Sequence, residues 1–217
     1  MADYIFAFDL DGTITRKELL PCIAGLIGLA ERMDALTRQA LRGDVPFHQS
    51  FEQRFALLGN IPVNTVQQAV LEVPLDPDIA AFIAANRSDC AIVTANLDCW
   101  AGPLLDTLGC RYFTSRSSIQ DGSLHLEAIL DKAQAVKALR SGGKRIVAIG
   151  ESANDIPMFR EADIRIAFGG VHPPVPEITA MADHYAASGK ELCMLLRKIQ
   201  DARPRNTKAG NGNTTGC

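Results

Sequence analysis

The chain has 217 residues, of which 47% are hydrophobic and 22% charged, and its formal net charge is −3. This length and composition predict one α/β core with a small inserted module. The small net charge gives no electrostatic case for binding nucleic acid or an anionic membrane. Because the six cysteines form no C-x-x-C pair, and the first residues show no signal peptide, we expect a cytoplasmic protein with reduced thiols.

The first predicted element is a buried strand that ends in two carboxylates. Tyr4 to Phe8 are all apolar, which is typical of a strand buried on both faces of a parallel sheet. Asp9 and Asp11 follow, at the strand end where open α/β sheets bind ligands. Both can serve one site only if the chain turns after Asp9, and Gly12 supplies the conformational freedom. The alternative is an Asp-Gly turn with solvated carboxylates.

Residues 16–73 carry no strand signal. Apolar residues recur there at helical spacing, and glycine and proline interrupt them around residues 42–46 and 59–62. This pattern predicts about four short helices inserted after the first strand. We therefore divide the chain into a core of residues 1–15 and 74–202, a helical cap of residues 16–73, and a disordered tail of residues 203–217.

Strands and helices alternate after residue 74. The predicted helices are Asp78–Ala85, Asp98–Leu108, Asp131–Leu139 (stopped by Gly142 and Gly143), Asp155–Arg160 and Glu191–Ile199. The predicted strands are Cys90–Thr94, Tyr112–Phe113, Arg145–Ile149 and Ile164–Phe168, with a hairpin turn at Asp121-Gly122. The alternation predicts an α/β fold, a doubly wound parallel sheet covered by helices on both faces.

The run Phe8-Asp9-Leu10-Asp11-Gly12-Thr13 resembles the first motif of the haloacid dehalogenase superfamily, whose phosphatases read DxDGT after the first strand. The resemblance implies that Asp9 is the nucleophile that becomes an aspartyl phosphate. It also implies that Asp11 acts as general acid and base, and that its backbone carbonyl helps to hold Mg²⁺.

Later segments resemble the remaining motifs of the superfamily. Thr94 ends a buried strand and matches the hydroxyl that binds the transferring phosphoryl group. Lys132 opens a helix, where a cation is electrostatically disfavoured, and it matches the lysine that pairs with the nucleophile. As alternatives, Thr94 satisfies its own backbone and Lys132 is solvated.

The segment Gly150-Glu151-Ser-Ala-Asn154-Asp155 resembles the fourth motif, usually Gly-Asp-x-x-Asn-Asp. Two carboxylates four residues apart at a strand-to-helix turn can converge on Mg²⁺, which prefers oxygen ligands. The departure is Glu151, which keeps the charge but adds one methylene. A helix-capping role is the alternative for Asp155. The implied metal ligands are Asp9, Asp11, Glu151 and Asp155.

Other residues resemble the substrate site of the phosphoserine phosphatase branch. Glu18 matches the glutamate that holds an ammonium group, Phe47 the phenylalanine that shields the site, and Arg54 the arginine that clamps a carboxylate. The branch usually has Ser-Gly-Gly where this chain has Thr94-Ala95-Asn96. Ala95, Asn96 and Asn154 complete the expected substrate-binding set.

The resemblance implies a Mg²⁺-dependent phosphomonoester hydrolase acting on phosphoserine or a similar small amino-acid phosphate. A phosphatase of the same branch for another small phosphorylated metabolite, and a non-catalytic phosphoryl-ligand binder, are the alternatives. A dehalogenase is disfavoured because those enzymes lack the second aspartate of the first motif. The missing membrane segments exclude a transporting ATPase. The sequence leaves the physiological substrate and the oligomeric state open.

Overall fold

The computed structural model describes residues 4–140 and 143–202, so the predicted tail and the predicted helix stop at Gly142 lie outside the described residues. The strands are β1 (Tyr4–Phe8), β2 (Cys90–Leu97), β3 (Arg111–Gln120), β4 (Ser123–Ala128), β5 (Arg145–Gly150), β6 (Ile164–Phe168) and β7 (His184–Ala186). The helices are α1 (Leu19–Gly25), α2 (Ala30–Arg42), α3 (Phe47–Leu58), α4 (Val63–Leu71), α5 (Pro77–Ala85), α6 (Asp98–Leu108), α7 (Lys132–Leu139), α8 (Ile156–Glu161), α9 (Pro176–Met181) and α10 (Gly189–Asp201). Short 3₁₀ helices cover Arg87–Asp89 and Ala153–Asp155.

The strands form one sheet in the order β4-β3-β2-β1-β5-β6-β7. Every neighbouring pair is parallel except the β3–β4 hairpin. The chain runs outward from β1 on one side and then crosses to β5 and continues outward on the other. This arrangement confirms the predicted doubly wound sheet, and it sets the carboxyl ends of β1, β2 and β5 side by side.

β1 occupies the centre of the sheet because both of its faces are apolar. On one face, Phe6 and Phe8 pack against Phe82 of α5, with ring centroids 5.5 and 6.5 Å apart. On the other face, Ile5 and Ala7 belong to a second core cluster that includes residues of α7 and α8. Two helical layers therefore cover the sheet, and they fix the position of the residue that follows β1.

Four helices, α1 to α4, lie between β1 and α5, as the sequence pattern predicts. We refer to them as the helical insertion. The chain segments at its two ends lie side by side, since Thr15 pairs with Leu75 in an isolated antiparallel bridge and the Arg16 amide donates to the Pro74 carbonyl at 2.8 Å. The division into a cap domain of residues 16–73 and a core domain stays a prediction. No helix in the described part of the chain is long and apolar enough to cross a membrane.

Several elements differ from the sequence-based prediction. β2 continues beyond Thr94 to Leu97. β3 is eight residues longer than the predicted strand Tyr112–Phe113, because its second half pairs with β4 in a hairpin whose far half is exposed. α9 and β7 were not predicted, since each buries only one residue, Ile178 and Ala186 respectively.

Candidate active site

The chain turns immediately after β1, so that two alternating carboxylates reach one pocket. The amides of Thr13 and Ile14 both donate to the Leu10 carbonyl, at 3.3 and 2.9 Å. Gly12 has φ +69°, in the left-handed region that L side chains rarely adopt. As a result Asp9 and Asp11 line the same pocket, as the sequence predicts.

This pocket lies between the strand ends and the helical insertion, and its cavity volume is about 40 Å³. The structure brings together there most of the predicted site residues. Asp9, Asp11, Thr94, Ala95, Asn96 and Asn154 lie on or after β1, β2 and β5, Phe47 and Arg54 lie on α3, and Glu18 immediately precedes α1. The three other predicted residues, Lys132, Glu151 and Asp155, are buried beside Asp9 rather than in the pocket lining.

Lys132 is a buried cation shared by two carboxylates. Its Nζ donates to Asp9 Oδ1 at 2.6 Å and to Asp155 Oδ1 at 2.7 Å. Burial alone would lower the pKa of Lys132, but Asp155 and Asp9 together raise it above its usual value. The pairing accounts for a cation at the start of α7, where the helix dipole disfavours one.

Three buried carboxylates surround this cation. Single oxygens of Asp9, Glu151 and Asp155 all lie within 4.8 Å of one another. Burial raises the pKa of Asp9 well above its usual value, Asp155 raises it further, and Lys132 partly offsets both. Burial, followed by Asp155 and Asp9, likewise raises the pKa of Glu151. These raised pKa values show that Lys132 alone does not offset the charge of three ionised carboxylates.

The donor set of this cluster fits a hard divalent cation. Glu151 Oε2 accepts a hydrogen bond from Thr13 Oγ1 at 2.8 Å, whereas Oε1 is buried without a partner among the described residues. A cation such as Mg²⁺, which prefers oxygen ligands, would satisfy this oxygen and offset the excess charge. Glu151 is one methylene longer than the aspartate that is usual in the fourth motif. One of its carboxylate oxygens is held by Thr13, and the other is left for a cation.

Asp155 also has a capping role, because it forms a capping box with Ser152 at the short 3₁₀ helix Ala153–Asp155, although its side chain makes no cap hydrogen bond to α8. Its Oδ2 accepts from the amides of Glu151 and Ser152 and from Ser152 Oγ, each at 3.0 Å. Its other oxygen accepts from Lys132. Asp155 therefore fixes the Gly150–Asp155 turn and belongs to the carboxylate cluster at the same time.

The Asp11 carboxylate lies outside the three-carboxylate cluster. It accepts from the Leu19 amide at 2.7 Å through Oδ1 and from Asn96 Nδ2 through Oδ2. Burial and then the charge of Glu18 raise the pKa of Asp11 to about 7, against the opposing effect of these two donors. A carboxyl group with this pKa exchanges protons near neutral pH, as a general acid and base must.

Thr94 and Asn96 form a small network beside Asp11. Thr94 Oγ1 accepts from the Asn96 amide at 3.2 Å and from Asn96 Nδ2 at 3.0 Å. Because both contacts use the hydroxyl oxygen as acceptor, the hydroxyl hydrogen is left to donate to a phosphoryl oxygen. The Asn96 side chain fills space that a glycine would leave open.

Arg54 presents an unpaired guanidinium nitrogen. Its Nε donates to the Ser50 carbonyl at 3.2 Å, and its Cζ lies 5.6 and 5.8 Å from the ring centroids of Phe47 and Phe51. Its Nη2 is buried without a hydrogen-bond partner among the described residues. Burial lowers the pKa of Arg54, while Asp11 and Glu18 raise it. A planar donor fixed in this way suits a carboxylate.

Sequence reasoning missed His172, whose side chain contacts the pocket residue Glu18. His172 lies in the loop after β6, and its Nε2 is 3.1 Å from Glu18 Oε1. The hydrogen bond to Glu18 is the main cause of the raised pKa of His172. A lone histidine before Pro173 gives no sequence signal, because the contact joins residues 154 positions apart.

Comparisons with known proteins agree with this geometry. The family model for haloacid dehalogenase-like hydrolases matches residues 6–160. The phosphoserine phosphatase of Methanocaldococcus jannaschii is 27% identical over 180 residues, which cover 76% of this chain and 84% of that protein. The phosphoserine phosphatase of Halobacterium salinarum is 27% identical over 207 residues, covering 88% and 96%. A solved phospho-aspartyl intermediate analogue of phosphoserine phosphatase superposes with a TM-score of 0.78 at 26% identity, covering 91% of this chain and 99% of that one.

Proposed function

The chain belongs to the haloacid dehalogenase-like hydrolase family, and from this premise we propose that it is a Mg²⁺-dependent phosphatase. It hydrolyses a small phosphorylated metabolite through an aspartyl-phosphate intermediate on Asp9. The observation that carries the proposal is the setting of Asp9. This carboxylate directly follows the central strand, accepts a hydrogen bond from Lys132 at 2.6 Å, and lines a pocket that also contains Arg54.

The proposed first step is attack of Asp9 on phosphorus. Lys132 binds Oδ1, which leaves Oδ2 as the attacking oxygen. The new bond from oxygen to phosphorus forms as the bond to the leaving alkoxide breaks, and Asp11 gives that alkoxide its proton. The Thr94 hydroxyl and the Lys132 ammonium stabilise the charge on the equatorial phosphoryl oxygens.

In the second step, Asp11 accepts a proton from water, whose oxygen attacks the phosphorus of the aspartyl phosphate. The bond from phosphorus to Asp9 breaks, which releases inorganic phosphate and restores the carboxylate. Asp9, Glu151 and Asp155, with the Asp11 backbone carbonyl, would hold Mg²⁺, which supplies positive charge against the phosphoryl group when bound. The helical insertion, through Glu18, Phe47 and Arg54, excludes bulk water and selects the substrate.

Two substrate classes remain for this enzyme. Phosphoserine is the substrate named for the relatives, and it has the carboxylate that Arg54 suits. The contact of Asn96 with Asp11 and Thr94 favours a different small phosphomonoester, because this side chain narrows the part of the pocket beside the nucleophile. Asn154 lines the same pocket and offers an amide to the bound ester.

Hydrolysis of a chromogenic phosphomonoester, with and without added Mg²⁺, tests the proposal. We expect Mg²⁺-dependent release of phosphate by the wild-type protein and none by Asp9→Asn, because an amide is not a nucleophile for this reaction. A panel of small phosphorylated metabolites then identifies the substrate. If the wild-type protein binds phosphate esters but hydrolyses none of them, the chain is a phosphoryl-ligand binder and the catalytic proposal is wrong.

A further inference from the structure

We propose that the pocket selects a phosphomonoester that carries a carboxylate but no ammonium group, because the Glu18 carboxylate is already paired with His172. This inference rests on the proposed function and names the substrate class of the same site. The substrate would then differ from that of the phosphoserine phosphatases that the chain resembles, since Glu18 is the residue expected to bind the ammonium group of the substrate.

His172 is positioned to act as a built-in partner of Glu18. The two side chains meet at 3.1 Å between Nε2 and Oε1. The Glu18 side chain is only 12% exposed and that of His172 37% exposed, so the contact is partly shielded from water. The loop that carries His172 is anchored where the Val175 amide donates to the Glu151 carbonyl at 2.9 Å. The histidine therefore approaches Glu18 from the core, across the edge of the pocket.

The groups around His172 favour its positive form. Its pKa is raised first by the hydrogen bond to Glu18 and then, against the effect of burial, by the charges of Glu18, Asp34 and Asp11. Arg38 and Arg42 line the adjacent cleft and oppose this effect, but each forms a salt bridge, with Asp34 and Asp44 respectively. An imidazolium beside Glu18 supplies the charge that a substrate ammonium would bring. A second cation would compete for the same carboxylate and be repelled by the first.

Arg54, in contrast to Glu18, has no built-in partner for its charge among the described residues. Arg54 forms none of the salt bridges found within residues 4–140 and 143–202, and its Nη2 is buried without a partner there. A buried charged donor that is left unpaired is costly, so this nitrogen favours an anionic group on the ligand. The pocket thus has a free site for a carboxylate, whereas its site for an ammonium is taken.

A matched pair of ligands tests the inference. O-phosphoserine and 3-phosphooxypropanoate differ only in the ammonium group. Calorimetric Kd values on an Asp9→Asn background measure binding without turnover, and kcat/KM of the wild-type protein measures selection during catalysis. We expect the ligand without the ammonium to be favoured roughly tenfold, and His172→Ala to shift the ratio roughly tenfold toward phosphoserine by freeing Glu18. His125→Gln, an exposed histidine on β4, is the control and should leave the ratio unchanged.

Three outcomes would overturn the inference. A wild-type preference for phosphoserine would show that Glu18 accepts an ammonium despite His172. An unchanged ratio in a folded His172→Ala protein, verified by thermal melting, would show that the histidine does not set the preference. Failure of both ligands to bind would also refute it. Absence of hydrolysis with a clear binding preference would instead refute only the proposed catalytic function.

Discussion

Replacement of Lys132 by methionine is the most informative perturbation of the carboxylate cluster. Methionine keeps a similar length and fills the space, but it removes the charge bonded to Asp9 at 2.6 Å and to Asp155 at 2.7 Å. The three side chains are 1%, 8% and 0% exposed, so water cannot replace the cation. Removing one partner of a buried ion pair costs about 3–5 kcal/mol. With an m-value of about 2–3 kcal/mol/M, the urea midpoint should fall by about 1–2.5 M.

The assay is urea unfolding in the presence of a chelator, so that no divalent cation compensates for the lost charge. Lys137→Met is the matched control, because Lys137 lies on the same helix but pairs with Glu161 at 3.3 Å with its side chain 49% exposed. An exposed pair contributes about 0–1 kcal/mol, so this control should unfold near the wild-type midpoint. If Lys132→Met shifted the midpoint no more than Lys137→Met, the buried charge network would not stabilise the fold and our reasoning would be wrong.

Three further predictions concern the pocket and the carboxylate cluster beside it. Glu151→Gln should weaken Mg²⁺ binding by roughly tenfold to a hundredfold in calorimetry, and an unchanged Kd would remove Glu151 from the metal site. Arg54→Ala should lower kcat/KM for carboxylate-bearing esters by roughly a hundredfold but hardly affect a chromogenic ester; equal losses would make Arg54 structural. Gly12→Ala should lower the free energy of unfolding by about 1–2 kcal/mol, because position 12 has a φ of +69°. It should also weaken Mg²⁺ binding, since the new Cβ would lie 2.6 Å from Glu151 Oε1. Gly122→Ala, with φ +77° and open space around it, should show the stability loss alone, and weakened Mg²⁺ binding in it would contradict this reasoning.

The central strand and the turn after it could be predicted because their constraints are local. Five consecutive apolar residues must be buried on both faces, and the carboxylates that follow can share one site only through the turn at Gly12. The second half of β3, in contrast, could not be predicted from its own residues. Residues 116–120 are mostly exposed and polar, and they become strand only through pairing with β4. β7 is shorter still, and Ala186 alone is buried there.

The candidate site likewise has a part that the sequence predicts and a part that it does not. The motifs identified many of the residues that line the pocket, but they could not predict which of these side chains contact one another. The bond from Thr13 to Glu151 joins residues 138 positions apart, and Asn96 meets Asp11 across 85 positions. No periodicity or propensity encodes such contacts, since they arise from the packing of separate strand ends. The catalytic and metal-binding roles of these residues stay predictions.

The most direct test of the account is chemical trapping of the aspartyl phosphate. The protein is quenched in acid during turnover and treated with borohydride, which reduces an acyl phosphate to the alcohol and so converts that aspartate to homoserine. Peptide mass spectrometry then locates the modified residue. We expect homoserine at position 9, and only when substrate and Mg²⁺ are present. Turnover without any reduced residue, or reduction at Asp11 in place of Asp9, would contradict the covalent mechanism.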